Sequence, residues 1–224
     1  SEHTAREAHL LLDVPPEKIA VIPNGVDPDF FEPLPEGEVA EVLARRRLPR
    51  GGLLYVGSDE KRKNLVNLVM AYLGLARRRP RDLPPLVLVG PGSGWAQAGE
   101  FSQAQIHSLG YLDKREVRAL MQVAAALVFP SLEEGFGLPV VEAFAAGLPV
   151  VCSRGSALEE VAGQAATLVN PLDAASIATG IEGLLDDPAR AAEQRRLGRE
   201  RARLYDWERA ARQTLEFYRR VLGQ

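Results

Sequence analysis

The sequence has few of the residues that build disulfide frameworks and metal centres. Cys152 is the only cysteine among 224 residues, and the three histidines (His3, His9 and His107) show no metal-ligand spacing. We therefore expect neither a disulfide scaffold nor a metal site, and this cysteine usage fits a reducing cytoplasm. Cys152 lies on a predicted core strand, where a cysteine is expected to act as a small buried hydrophobe.

Long apolar runs and an excess of positive charge are also missing. The longest apolar run covers residues 123–129, whereas a membrane-spanning helix needs about 20 such residues. The 27 basic and 30 acidic residues give a net charge of −3, so no general positive field attracts nucleic acid. The arginine clusters at 45–47, 77–79 and 195–203 have acidic neighbours on predicted helices, which is typical of solvated faces.

From Leu53 onward, short apolar runs alternate with longer amphipathic segments. This alternation indicates βα units, and hence an α/β fold with a Rossmann-like, doubly wound parallel sheet of about six strands. The predicted strands are residues 53–56, 86–89, 106–109, 126–129, 150–152 and 167–169. The predicted helices are residues 65–77, 114–123, 139–146, 157–162 and 174–186, followed by two C-terminal helices at 189–204 and 207–222.

The pattern before Leu53 is different. It predicts a helix over residues 2–12 and a short strand over residues 19–22. A run containing Pro28, Pro33 and Pro35 follows, and its composition predicts a linker.

Two unusual loops follow the first and fourth predicted strands, at residues 57–64 and 130–139. In the common doubly wound order 3-2-1-4-5-6, these two strands are neighbours, and ligands bind in the crevice beyond their carboxyl ends. The sequence therefore predicts that both loops border one ligand site.

The second loop has the residues of an anion-binding helix start. Gly135 and Gly137 let the main chain approach a ligand closely, and Pro139 suits the beginning of a helix. The free N–H groups at such a helix start attract anions such as phosphate. Glu142 would lie in the first turn with its carboxylate directed back toward the loop, and Glu134 would lie on the near side.

Two carboxylates beside a helix end that attracts phosphate would repel the phosphate unless they bind hydroxyl groups instead. A nucleoside diphosphate sugar supplies both phosphate and hydroxyl groups. Each feature alone has a simpler explanation, because an acidic residue near a helix start complements the macrodipole and glycines turn chains. The combination at the expected crevice favours a ligand site. The glycine-rich residues 89–95 do not fit the dinucleotide fingerprint, because its third glycine would fall on Trp95, and we expect an ordinary turn there.

These residues carry a family resemblance. Residues 134–143 (EGFGLPVVEA), followed by 146–151 (AGLPVV), resemble the E-x7-E signature of retaining glycosyltransferases of family 4, which have the GT-B fold. Three further segments look like the family's interdomain junction, diphosphate loop and closing helix: residues 22–27 (IPNGVD), residues 55–57 with 62–64, and residues 206–209 (DWER). The likeness extends over nearly the whole chain.

The resemblance implies roles for individual residues. Glu142 would bind the donor's ribose diol, and Glu134 would contact hydroxyls of the transferred sugar. The backbone amides of Phe136, Gly137 and Leu138 would hold sugar and phosphate. The basic residues of the first loop, Lys63 and the adjacent Arg62, would neutralise the diphosphate leaving group.

Two positions leave alternatives open. The diphosphate loop would begin at Gly57, and many family members have an arginine next, where this chain has Ser58; either Arg62 takes its part or phosphate is bound more weakly. The base pocket would lie around Leu112 and Lys114, with an ordinary surface lysine as the alternative for Lys114.

The resemblance implies the donor-binding half of a hexosyltransferase that moves a sugar from a nucleoside diphosphate to an acceptor hydroxyl with retention. GDP-mannose is the first expected donor and a UDP-hexose the second, with no cofactor or metal. A lipid-linked or polysaccharide acceptor is expected. The alternatives are a nucleotide-sugar epimerase of GT-B fold and a non-catalytic nucleotide-binding domain.

The implied organisation has three parts. Residues 1–36 would be a remnant of an N-terminal acceptor domain with the linker, residues 37–206 the nucleotide-sugar-binding domain, and residues 207–224 a tail helix. The chain begins at Ser1 and would lack most of the acceptor domain, so we expect it to be inactive alone. The full-length enzyme is expected in the cytoplasm, peripheral at the inner membrane face.

Overall fold

Six parallel strands form the centre of the molecule in a computed structural model that describes residues 1–90 and 105–223. They are β1 (Leu53–Val56), β2 (Leu86–Val89), β3 (Ile106–Ser108), β4 (Ala126–Phe129), β5 (Val150–Ser153) and β6 (Thr167–Val169). Their order in the sheet is β3-β2-β1-β4-β5-β6, so the predicted fold class and strand order are confirmed.

The composition of the strands explains why they lie at the centre. Strands β2 (LVLV) and β4 (ALVF) are continuous apolar runs, and every residue in them is buried. A parallel sheet is covered by helices on both faces, so its strands lack the polar alternation of half-exposed strands. Leu53 of β1 lies opposite Leu86 of β2 on one side and Ala126 of β4 on the other.

The helices surround this sheet. They are α1 (Glu2–Leu12), α2 (Glu36–Arg46), α3 (Leu65–Arg78), α4 (Lys114–Val123), α5 (Leu138–Ala145), α6 (Ala157–Ala162), α7 (Ala174–Leu185), α8 (Pro188–Ala202) and α9 (Trp207–Leu222). Short 3-10 helices occupy Pro16–Lys18, Pro28–Phe31 and Lys61–Lys63. Helix α3 packs on α7, and α5 packs on α8.

The segment before β1 departs from the sequence prediction. The strand expected at residues 19–22 is wrong: these residues pair with no strand among those that the structure describes. Extended backbone becomes a strand only by ladder hydrogen bonding, and the edges of this sheet are β3 and β6. The expected linker is also partly ordered, because Phe30 of the 3-10 turn is buried.

Helix α2 follows that turn; the arginine cluster at 45–47 was predicted to lie on a helix, but no bounds were predicted for that helix. It is held to α4 by the buried carboxylate of Glu116, which accepts hydrogen bonds from Arg45 (2.9 Å) and Arg46 (2.9 and 3.0 Å). Of the turn predicted at residues 89–95, positions from Pro91 onward lie outside the described residues. No helix in the described ranges has the length and apolar character that crossing a bilayer requires.

Candidate functional site

The loops after β1 and β4 are bound to each other at the carboxyl edge of the sheet. The Leu132 N–H donates to the Arg62 carbonyl at 2.7 Å. Asn64, buried and in the left-handed conformation (φ 59°), donates through Nδ2 to the carbonyls of Pro130 (2.9 Å) and Pro171 (2.7 Å). One side chain thus connects the loops after β1, β4 and β6, and the expected neighbourhood of the two unusual loops is formed.

The start of the first loop is fixed by close backbone packing. Gly57 donates to the Val89 carbonyl at 2.9 Å, and a Cβ on Gly90 (φ +101°) would collide with the Gly57 carbonyl. The Tyr55 hydroxyl donates to the Ser58 carbonyl at 2.7 Å, and the Ser58 hydroxyl donates to Glu60 at 2.7 Å. The main chain at Gly57 and Ser58 therefore has little freedom.

The predicted acid and its basic partners meet in one cluster. Lys63 Nζ lies 2.6 Å from Glu134 Oε1, and the two side chains are only 12% and 9% exposed. Arg62 lies 3.4 Å from the same carboxylate oxygen and also binds Glu60 at 3.0 Å. The Lys63 ammonium sits 5.0 Å from the Phe129 ring centre. Two cations thus converge beside β4.

Helix α5 begins next to this cluster. Gly137 adopts φ 99°, ψ 54° and precedes the first helical residue, Leu138, without a side-chain cap. The Phe136 ring packs edge-on against Tyr205, with centroids 5.3 Å apart. The N–H groups of Phe136, Gly137 and Leu138 donate to no acceptor within the described parts of the chain. A helix end with free N–H groups beside two cations is suited to an anion.

Glu142 lies one turn into α5. The helix begins at Leu138 rather than at Pro139, because Gly137 takes the cap position, so the expected placement of Glu142 in the first turn is wrong. Burial, together with the negative charge of Asp27, raises the pKa of the Glu142 carboxyl to about 7. A carboxyl in this state can hydrogen-bond to hydroxyl groups either as acceptor or, when protonated, as donor.

Leu112 and Lys114 lie at the start of α4. The Leu112 side chain is buried in the core, so only its backbone could meet a ligand. Lys114 Nζ donates to Asp27 and Asp29, both at 2.7 Å. Lys114 therefore ties the segment before α2 to α4, and Asp27 is a site neighbour that residue patterns alone did not reveal.

Helix α1 abuts the outer side of the second loop. The hydroxyls of Ser1 and Thr4 donate to the Gly135 carbonyl at 2.8 and 3.1 Å. Ligand atoms of His3, Glu7 and Glu133 lie within 4.8 Å of one another, a grouping that spacing in the sequence could not reveal. The 2.7 Å hydrogen bond between His3 and Glu133 accounts for this group without a cation.

The cysteine of the sheet lies opposite Phe129 of β4. Cys152 is buried in β5, and burial raises the pKa of its thiol to about 12, which agrees with a role in packing.

Comparison with known proteins identifies the family of the region that contains these loops. Residues 50–187, more than half of the chain, match the family described as "Glycosyl transferases group 1". The chain belongs to this family. Its group 1 domain contains both loops and the whole of α5.

Two curated relatives are both mannosyltransferases by name. The O-antigen chain mannosyltransferase B of Escherichia coli is 32% identical over 228 residues, covering 98% of this chain and 59% of the relative. The MMP alpha-(1->4)-mannosyltransferase of Mycolicibacterium hassiacum is 33% identical over 232 residues, covering 99% and 53%. This group 1 chain thus spans little more than half the length of the relatives it matches.

Solved structures share the fold. A glycosyltransferase from Rickettsia africae superposes with a TM-score of 0.84 at 20% identity, covering 99% of this chain and 62% of that one. The Anabaena protein Alr3699/HepE, solved in complex with UDP and glucose, superposes with a TM-score of 0.81 at 20% identity, covering 97% and 61%. At this identity, the likeness establishes the Rossmann-like fold of the group 1 domain.

Proposed function

We propose that this chain is the C-terminal, donor-binding half of a retaining glycosyltransferase of family 4, with the GT-B fold. The observation that carries the proposal is the convergence of Lys63, Arg62 and Glu134 beside the uncapped start of α5. Cations and free N–H groups suit a diphosphate, and carboxylates suit sugar hydroxyls. A nucleoside diphosphate sugar combines these groups in one molecule.

In this proposal the diphosphate binds Lys63, Arg62 and the amides of Gly137 and Leu138. These donors stabilise the negative charge that develops as the leaving group departs, in a place where water is partly excluded. Lys63 is paired with Glu134 at 2.6 Å before the donor binds. When the donor binds, the Lys63 ammonium would contact both the Glu134 carboxylate and the phosphate. The other carboxylate oxygen of Glu134 would then accept a hydrogen bond from a sugar hydroxyl.

Glu142 binds the ribose diol in this proposal. Its carboxyl lies one helical turn beyond Leu138, and its raised pKa shows how poorly water solvates it. Two ribose hydroxyls would supply the hydrogen bonds that this half-buried group lacks. The base would then lie toward the backbone near Leu112, with Lys114 held by Asp27 and Asp29.

The proposed donor is GDP-mannose, and a UDP-hexose is second. The names of two relatives that cover nearly all of this chain support mannose. The proposed reaction is a front-face attack by an acceptor hydroxyl, assisted by the leaving phosphate, so no protein nucleophile is assigned. Because two cations and a helix end supply positive charge to the diphosphate, the proposal includes no metal or cofactor.

Calorimetric titration with GDP and UDP tests the donor site. We expect binding of at least one nucleotide, weakened by about tenfold or more in Glu142→Ala. The exposed Glu216 of α9 provides the matched control, and Glu216→Ala should bind like the parent chain. Equal affinities in all three proteins, or no binding of either nucleotide, would overturn the proposal.

A second experiment tests the assignment of this chain as half of an enzyme. We propose that residues 1–36 are the remnant of an acceptor domain with its linker. We also propose that the acceptor hydroxyl is bound outside residues 37–206. The purified chain should therefore bind donor without transferring the sugar, even with a lipid-linked or polysaccharide acceptor. Measurable transfer by this chain alone would contradict that assignment.

A further inference from the structure

A second basic pocket lies at the opposite end of α5 from the proposed donor site. It is a cavity of about 230 Å³ where the 3-10 turn before α2 meets α4, the C-terminal end of α5 and α8. Arg118 of α4 and Arg195 and Arg199 of α8 line it, and Glu32 is the one acidic residue among its lining residues. Its charge is therefore predominantly positive.

The arginines of this pocket have few ion-pair or hydrogen-bond partners among the described residues. Arg118 donates to the Glu32 carbonyl at 3.0 Å and lies 3.9 Å from Asp29, but its Nε is buried without a partner. Arg195 and Arg199 make no ion pair with a residue in the described ranges. Arg196, between them on the same helix, binds both Glu193 and Glu200 at 2.7 Å. Acids are thus available along α8 but do not reach the pocket.

A favourable interaction with the dipole of α5 explains the position of only one of these arginines. The Arg199 guanidinium lies against Gly147, just beyond the end of α5, where a cation is favourable. That effect does not explain why Arg195 converges on the same space, or why the Arg118 Nε is buried and unsatisfied. An anion in the pocket would give the exposed guanidinium groups of Arg195 and Arg199 a common partner.

We propose that this pocket binds a phosphate group, carried by a small phosphate monoester or present as free phosphate. The guanidinium groups of Arg195 and Arg199, unpaired among the described residues, match with the nearby positive charge of Arg118 the double negative charge of such a group. The cavity has the volume of roughly seven or eight water molecules, which leaves room beyond the phosphate itself. Phe30, Phe31 and Pro33 form an apolar wall for a carbon skeleton.

The test uses the whole chain and two probes, inorganic phosphate and glucose 6-phosphate, followed by calorimetry. We expect the double variant Arg195→Gln/Arg199→Gln to weaken binding of both probes by about tenfold or more. Arg196→Gln, which changes an exposed arginine one position away, should leave both affinities unchanged. Stronger binding of the ester would identify the ester as the ligand class, and equal affinities would identify free phosphate; either result supports the site.

A titration followed by amide and arginine Nε–H NMR signals locates the binding, because phosphate could also bind near Lys63. We expect the signals of Gly147 and of Arg118 Nε–H to shift with the added probe. Shifts confined to Lys63 and the start of α5, or full binding by the double variant, would overturn the proposal. So would the absence of any shift up to about 10 mM of either probe.

Discussion

At the scale of single residues, the Lys63–Glu134 pair, which we propose to bind the donor, is also expected to contribute to stability. Both side chains are nearly buried, and the only other cation near Glu134 is Arg62 at 3.4 Å, among the residues that the structure describes. Removing the lysine leaves a poorly solvated carboxylate with one distant partner. We expect Lys63→Gln to lower the free energy of unfolding by about 1–3 kcal/mol, measured by urea denaturation.

Arg196 provides the comparison for that variant. Its ion pairs with Glu193 and Glu200 are as short, at 2.7 Å, but all three side chains are more than half exposed. Exposed pairs contribute little, so Arg196→Gln should change stability by less than about 1 kcal/mol. Equal losses in the two variants would show that burial of the Lys63–Glu134 pair has no energetic consequence.

The raised pKa of Glu142 predicts a pH dependence with a definite sign. The folded chain holds a proton on this carboxyl up to about pH 7, whereas the unfolded chain releases it near the ordinary value of 4.5. The folded state therefore binds more protons in this window, and stability falls as pH rises through it. Relative to Glu142→Gln, the parent chain should lose on the order of 1–3 kcal/mol between pH 4.5 and pH 8.

Urea unfolding of both proteins at the two pH values measures this difference. Using the glutamine variant as reference removes the contributions of all other titrating groups. A stability difference that is the same at both pH values would show that Glu142 titrates like an exposed carboxyl.

The positions of the proposed site residues were partly predictable from sequence, whereas their roles stay predictions. The string from Glu134 to Glu142 predicted a loop followed by a helix start, and the structure has α5 begin there, at Leu138. Asp27 and Asn64 were not assigned roles, because theirs depend on partners far away in the chain: Lys114 for Asp27, and Pro130 and Pro171 for Asn64. Such contacts appear only when the loops are folded together.

At the scale of elements, the start of α5 depends on Gly137. Its φ of 99° is unfavourable for any residue with a side chain, and a Cβ there would collide with Leu158 Cδ2. We expect Gly137→Ala to destabilise the chain by about 2 kcal/mol or more, and to displace the free N–H groups that we assign to phosphate. Thermal or urea unfolding measures the first effect, and nucleotide titration the second.

Gly74 is the matched glycine within a helix. It lies inside α3, and a Cβ there would meet nothing within 4 Å. Gly74→Ala should therefore stabilise the chain by about 0.5–1 kcal/mol. Destabilisation by both substitutions to a similar extent would contradict a special role for the backbone at Gly137.

The strands and helices also show which sequence patterns were sufficient to predict an element. All six strands were predicted because buried parallel strands are short apolar runs between longer amphipathic segments. The strand expected at residues 19–22 failed because an extended, apolar segment carries no information about whether a partner strand is available. The bounds of helix α2 were not predicted because its buried face is short, with only Val39, Val42 and Leu43 buried.

At the scale of the whole molecule, the strand order determines the position of the proposed site. Because β1 and β4 are adjacent, the loops that follow them share one edge of the sheet, and Asn64 holds them together there. The group 1 domain accounts for most of this chain, while the relatives extend well beyond it. We therefore propose that this chain forms one wall of the cleft in which the donor binds.

The structure of this chain with bound GDP or UDP tests the central claim most directly. We expect the diphosphate oxygens within hydrogen-bond distance, about 2.7–3.2 Å, of Lys63 Nζ and of the N–H groups of Gly137 and Leu138. The ribose hydroxyls should meet the Glu142 carboxyl. A nucleotide bound at another edge of the sheet, with Lys63 still paired only with Glu134, would contradict the account.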